Sequence, residues 1–138
     1  MAEAVIRQSI LHDVAHFGVR VTMGTIFIMH SLGKFELGFL GFMERLGLPP
    51  EMQFPLALAE FVPGVLLIIG GLTRISAAVL SMVMLGAIFV VKEAKSLTGQ
   101  GGFEIDLILL ASSLVIIVIG PGRVSISHIL KKVPRFLQ

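Results

Sequence analysis

Five ionisable residues lie within or close to long apolar stretches of this 138-residue chain: Arg20, His30, Lys34, Glu60 and Glu104. An ionisable side chain at membrane depth is costly unless it is paired or hydrated, so such residues are functional candidates by default. Together they could form a polar cavity that binds a headgroup-like or quinone-like molecule, or that relays protons through an imidazole. They could equally form buried ion pairs that only fix how the helices pack.

Four apolar stretches must position these side chains: residues 14–32, 54–72, 75–91 and 105–119. Each reaches or approaches the length of about 20 residues that a helix needs to cross the hydrocarbon layer. We therefore predict an all-α fold, with residues 1–138 forming one four-helix transmembrane bundle. Loop 72–74 is so short that the second and third helices must be antiparallel neighbours. Loop 35–52 is apolar and rich in glycine, which indicates an interfacial or partly re-entrant helical segment.

The composition excludes several classes of protein. Only 14% of the residues are charged, against about 25% in a soluble domain, and the mean hydropathy is +0.95. The chain has no cysteine, so it cannot form disulfides or ligate a cluster through thiolates. The net charge of +2 is spread along the chain and does not indicate nucleic acid. We predict no metal site and no intrinsic cofactor.

The basic residues favour a multi-pass protein of the cell membrane with both termini in the cytoplasm. Six of them lie on the side of the termini: Arg7, Arg74, Arg123, Lys131, Lys132 and Arg135. Four lie in the opposite loops: Lys34, Arg45, Lys92 and Lys95. This orientation places every candidate except Arg20 in the outer half of the membrane. Helical geometry then predicts a pair between Arg20 and Glu60, with Lys34 and His30 nearer Glu104.

Small residues accompany the charges in the first two helices. Gly24 follows Arg20 by one turn, and Gly64 follows Glu60 by one turn. Together with Gly70 and Gly71, these glycines would let helix backbones approach closely, as membrane helices require. Pro63 is predicted to kink the second helix and to free the carbonyl group of Ala59.

Three groups of residues carry a resemblance to the DoxX family that extends over nearly the whole chain. They are Arg20-x3-Gly24-x2-Phe27-x2-His30-Ser31-x2-Lys34; Ala59-Glu60 with Pro63-Gly64 and Gly70-Gly71-Leu72-Thr73-Arg74; and Gly101-Gly102-Phe103-Glu104 with Gly120-Pro121-Gly122 and Ser125. The chain departs from the family at the end of the third helix, where many members carry a histidine and this sequence has Phe89-Val90-Val91-Lys92.

The resemblance implies a small four-helix membrane protein related to DoxD, a subunit associated with thiosulfate:quinone oxidoreductase and terminal quinol oxidase in archaea. It implies a respiratory or redox membrane complex but supplies no reaction.

Our leading interpretation is an accessory subunit of a membrane oxidoreductase complex, without independent enzyme activity. It would stabilise other integral membrane subunits and contribute a pocket for a quinone or a lipid. The alternative is a stand-alone protein, which could be a homo-oligomer, that binds membrane lipid or a hydrophobic metabolite or assists membrane-protein assembly. A transporter is a weaker alternative, because four helices make a small bundle.

Overall fold

The fold is all-α, as predicted. A computed structural model describes residues 9–129, 134 and 136–138, and within these residues every regular element is helical. The elements are α1 (Ile10–Lys34), α2 (Gly38–Arg45), a 3₁₀ turn (Pro50–Met52), α3 (Gln53–Ile69), α4 (Thr73–Gly86), a π-helix that continues it (Ala87–Val91), α5 (Glu104–Ile119) and α6 (Ile126–Ile129). The basic residues Arg7, Lys131, Lys132 and Arg135 lie outside the described residues.

Two helical stretches of the described chain are long and apolar enough to cross a membrane, namely Pro50–Ile69 and Thr73–Val91. The pair α1 and α2 also passes this test, although a bend of 92° separates the two helices. The number is therefore two, or three if the bent pair is one span. Because α5 has 16 residues, it extends only about 24 Å, which is less than the hydrocarbon thickness. The number of four spans stays a prediction.

The bend after α1 agrees with an amphipathic segment in the first loop. α2 is eight residues long and turns away from α1 at 92°. Its Met43 is fully buried, whereas Glu44 and Arg45 are exposed. This short helix therefore lies across the end of the bundle with its apolar face inward.

α3 and α4 form the centre of the bundle. α1 packs along α3, α5 packs along α4, and α1 meets α5 at only a few positions. Phe27, Leu67, Leu80 and Ile116 are fully buried, one from each of the four long helices. In a membrane this packing, rather than removal of apolar surface from water, holds such helices together.

Two glycines set the distance between α1 and α3. A β-carbon built on Gly24 would lie 2.5 Å from the carbonyl oxygen of Gly64, and one built on Gly64 would lie 3.0 Å from the carbonyl oxygen of Gly24. The two backbones thus approach more closely than any larger residue would allow. This contact fixes which parts of the two helices face each other.

The α3–α4 turn and the segment after α5 meet at the opposite end of the bundle from α2. Gly70 ends α3 in the left-handed region at φ +73°, and the Gly71 amide donates to the carbonyl oxygen of Leu66 at 2.9 Å. A β-carbon on Gly70 would lie 2.4 Å from Ser125 Cβ. The Ser127 amide also donates to the carbonyl oxygen of Gly70 at 3.2 Å. The segment around Ser125–Ser127 is therefore attached to the end of α3.

Candidate ligand site

Lys34 and Glu60 form an ion pair between the end of α1 and the middle of α3. Lys34 Nζ lies 2.5 Å from Glu60 Oε1, and the side chains are 21% and 4% exposed. The carboxylate is thus almost sealed from water and has the ammonium group as its countercharge. Removing one partner of such a pair leaves an uncompensated buried charge, so each side chain depends on the other.

The crossing of α1 and α3 explains why these two residues meet. From the contact between Gly24 and Gly64, α1 runs about 15 Å further to Lys34, whereas Glu60 lies about 6 Å along α3. Helical side chains tilt toward the N-terminus of their own helix. Lys34 therefore leans back toward the crossing, and Glu60, on a helix that runs the other way, leans toward Lys34. The two tilts close the remaining gap.

Gln53 fixes the end of α1 from which Lys34 projects. Its Nε2 donates to the carbonyl oxygens of Lys34 at 2.9 Å and Glu36 at 3.0 Å, and the residue is 6% exposed. The last carbonyl groups of a helix have no donor within the helix, and this amide satisfies that of Lys34. The sequence analysis missed Gln53. A lone amide at the start of an apolar helix is the feature that could have revealed it.

A cavity of about 430 Å³ lies beside the ion pair. α2 contributes Phe39 and Phe42, α3 contributes Ala59, and α4 with its π-helix forms the far wall. Lys34 and Glu60 are the polar side chains of the cavity lining, and its other described residues are apolar. Sites for small molecules typically have this character, with about 300–1,000 Å³ of apolar space and a few polar groups that orient the ligand.

The far wall of the cavity includes a widened helical turn. The π-helix Ala87–Val91 supplies Ala87, Val90 and Val91 to the cavity, and single π-turns are frequent at functional sites. The predicted helix 75–91 covers these residues and ends at the observed residue, but the sequence analysis did not predict the π-helical geometry of its last turn. Gly86, just before it, also lines the cavity, and a β-carbon on Gly86 would meet no atom within 4 Å.

Glu60 has a second carboxylate oxygen with no donor. Oε1 accepts from Lys34, whereas Oε2 is buried and has no hydrogen-bond partner within the described part of the chain. Pro63 has no amide proton, so the carbonyl group of Ala59 lacks its usual helical donor. Both Ala59 and Glu60 line the cavity. Glu60 Oε2 is therefore an acceptor without a donor on a residue that lines the cavity.

A second ion pair holds the loop that follows the π-helix. Lys92 Nζ lies 2.5 Å from Asp106 Oδ2 and 2.9 Å from the carbonyl oxygen of Gly102. The two charged side chains are 27% and 11% exposed. Loop 92–103 is thus attached to the start of α5.

The helices that line the cavity fall within a region shared with a known family. The model of the DoxX family matches residues 15–93, which is more than half of the chain and includes every residue of the cavity wall. The chain belongs to the DoxX family. This confirms the resemblance found in the sequence motifs.

Two relatives match most of this DoxX-family chain. It is 35% identical over 104 residues to a Bacillus subtilis (strain 168) protein named "Putative oxidoreductase CatD", which covers 74% of this chain and 76% of the relative. It is 31% identical over 131 residues to the "Uncharacterized membrane protein Rv3486" of Mycobacterium tuberculosis (strain ATCC 25618 / H37Rv), which covers 83% of this chain and 80% of the relative. No solved structure gives a significant match.

Arg20 of this DoxX-family chain does not pair with Glu60, so that prediction is wrong. Its Nη1 donates to the carbonyl oxygen of Pro121 at 2.5 Å, and its Nη2 donates to the carbonyl oxygen of Val124. The side chain is fully buried and lies over the ring of Phe17. The segment after α5 offers free carbonyl groups at the negative end of a helix dipole, so the guanidinium group is stabilised without a carboxylate.

His30 and Glu104 are exposed, and neither lines the cavity of this DoxX-family chain. The expected proximity of Lys34 to Glu104 is also wrong, because Lys34 pairs with Glu60. Of the five residues predicted to cluster, the structure therefore brings together Lys34 and Glu60. It places Arg20 at the other end of the bundle, where its donors hold the segment after α5.

Proposed function

We propose that this DoxX-family protein is an accessory subunit of a membrane oxidoreductase complex and binds a quinone headgroup beside Lys34 and Glu60. The observation that carries the proposal is the apolar cavity of about 430 Å³ with one ion pair in its wall. A quinone headgroup is a flat apolar ring with polar oxygens at its edge. Such a ring can fill apolar space while its oxygens meet the one polar part of the wall.

The opening of the cavity favours a ligand that enters from the bilayer. Met82 and Val90 line the cavity and are also 70% and 57% exposed. These residues lie on α4 and its π-helix, on a surface that would face lipid in a membrane. An isoprenoid tail could therefore leave the cavity along α4 while the ring stays next to Glu60.

The proposal includes four spans with both termini in the cytoplasm. α5 is too short to meet the length criterion alone, but its Ile108, Val115 and Val118 are all exposed. A continuous apolar face of this kind fits contact with lipid better than contact with water. The sequence count of six basic residues on the side of the termini against four in the opposite loops supports this orientation, and Arg74 and Arg123 belong to the six.

A role within a redox complex is supported by the printed name of one relative, which calls that protein a putative oxidoreductase. The sequence lacks cysteine, so thiolate-ligated clusters would have to belong to a partner. In this proposal the protein holds the quinone, and neighbouring membrane subunits exchange electrons with it.

Filling the cavity tests the proposal. Gly86→Leu adds a side chain where a β-carbon meets no atom within 4 Å, so we expect it to occupy ligand space without disturbing the helices. Gly33→Leu is the matched control, because Gly33 is also unobstructed and lies outside the cavity wall. Wild type and both variants are purified in mild detergent, and the extracted quinones and lipids are quantified by mass spectrometry.

We expect quinone and redox subunits to copurify with the wild type and with Gly33→Leu, and quinone to be largely lost from Gly86→Leu. Equal amounts of quinone in all three preparations would contradict specific binding. Retention of a phospholipid that Gly86→Leu alone removes, without redox subunits, would instead support a stand-alone lipid-binding protein.

A further inference from the structure

We propose that the cavity favours the reduced form of its ligand, a hydroquinone, over the corresponding quinone. This inference rests on the proposed function and concerns the same site. It follows from the hydrogen-bonding groups that line the cavity, because the two redox forms of the ring differ in one property that the wall can recognise. A quinone oxygen can only accept a hydrogen bond, whereas a hydroquinone hydroxyl group can also donate one.

Glu60 provides the recognition. An ionised carboxylate accepts hydrogen bonds and donates none. One of its oxygens is occupied by Lys34, and Oε2 has no donor within the described residues although the side chain is 4% exposed. The terminal torsion of a glutamate is soft, so the carboxylate can turn this oxygen toward a ligand. A ring hydroxyl group would supply the missing donor. A ring carbonyl oxygen would instead place a second acceptor opposite the carboxylate oxygen, and no hydrogen bond could form between them.

Lys34 does not separate the two forms. Its ammonium group has three donors, of which one is directed at Glu60 Oε1. A remaining donor can serve the oxygen of a carbonyl group or of a hydroxyl group equally well. The preference therefore depends on Glu60, and a hydroxyl group can accept from Lys34 while it donates to Glu60.

The burial of Glu60 acts in the same direction. Its side chain is 4% exposed, so water cannot readily supply the donor that Oε2 lacks. Unmet acceptors in a buried site are costly, so a ligand that brings a donor gains the most there.

The test compares both redox forms of one probe, decylubiquinone and decylubiquinol, bound to the full-length protein in detergent under anaerobic conditions. We expect the quinol to bind roughly tenfold more tightly or better, as hydrogen bonds to buried charged groups allow. Equal affinities, or tighter binding of the quinone, would overturn this inference and leave the proposed function intact. If neither form binds, the proposed function fails as well.

Glu60→Gln sharpens the test, because its amide keeps an oxygen for Lys34 and replaces the other oxygen with a donor. We expect this variant to lose the preference for the quinol or to favour the quinone. Glu104→Gln is the matched control, since Glu104 is exposed and outside the cavity wall. A Glu60→Gln protein that keeps the wild-type preference would assign the discrimination to another group. The wild-type ratio alone still decides the inference if the variant does not fold.

Discussion

Lys34→Met is expected to destabilise the protein by about 3 kcal/mol or more, because it leaves the Glu60 carboxylate buried without its countercharge. The lost partner lies 2.5 Å from Glu60 Oε1, and Oε2 already lacks a donor. Methionine keeps the length and apolar character of the lysine stem, so the change isolates the charge. The free energy of unfolding is measured by denaturant titration in mild detergent.

Lys95→Met is the matched control, since Lys95 Nζ is also 2.5 Å from a carboxylate oxygen, on Glu93, but those side chains are 73% and 60% exposed. Exposed pairs contribute little, so this variant should unfold like the wild type. The double variant Lys34→Met/Glu60→Gln should recover much of the loss, because it also removes the buried charge. Equal stability of Lys34→Met and Lys95→Met would show that the Glu60 carboxylate does not need its ammonium partner.

Gly24→Val is expected to separate α1 from α3. A β-carbon at Gly24 would lie 2.5 Å from the carbonyl oxygen of Gly64 and 2.6 Å from Ile68 Cγ1. One of these atoms belongs to the backbone and cannot move without shifting a helix. Overpacking of this kind costs about 1–3 kcal/mol or more, and it also displaces Lys34 from Glu60. Both the melting temperature of the protein and its affinity for decylubiquinol should fall.

Gly18→Val on the same helix is the control, because a β-carbon there would meet no atom within 4 Å. Both variants place a valine in the same helix, so its helix propensity affects them equally. A difference between their melting temperatures therefore comes from the contact of α1 with α3. If Gly24→Val melts at the same temperature as Gly18→Val, the close approach of the two helices is not present in the folded protein.

The helices could be predicted from the sequence because each depends on local pattern. Apolar runs of suitable length, ended by glycine or proline, placed the second span at 54–72, where α3 covers Gln53–Ile69. The third span, 75–91, agrees with α4 and its π-helix, Thr73–Val91. The apolar, glycine-rich loop 35–52 predicted a short helical segment, and α2 lies within it.

The partners of the charged residues could not be predicted in the same way. The prediction used only the position of each residue along its helix axis, which placed Lys34 nearer Glu104 and Arg20 nearer Glu60. It did not include the rotation of each helix about its axis or the tilt of its side chains. The Arg20 guanidinium group donates to the backbone carbonyl groups of Pro121 and Val124. Carbonyl groups are common to every residue and carry no sequence pattern. The cavity itself depends on how α2 folds across α3 and α4, which no local pattern specifies.

The most direct measurement of the central claim is photolabelling with a quinone that carries an azido group on its ring, followed by mapping of the labelled residues by mass spectrometry. We predict labels on the wall of the cavity in α2, α3 and α4, for example at Phe42, Met52 and Met82. Excess unlabelled quinone and Gly86→Leu should both abolish them. Labels spread evenly over exposed residues such as Val118 on α5, unaffected by either treatment, would contradict a quinone site beside Lys34 and Glu60.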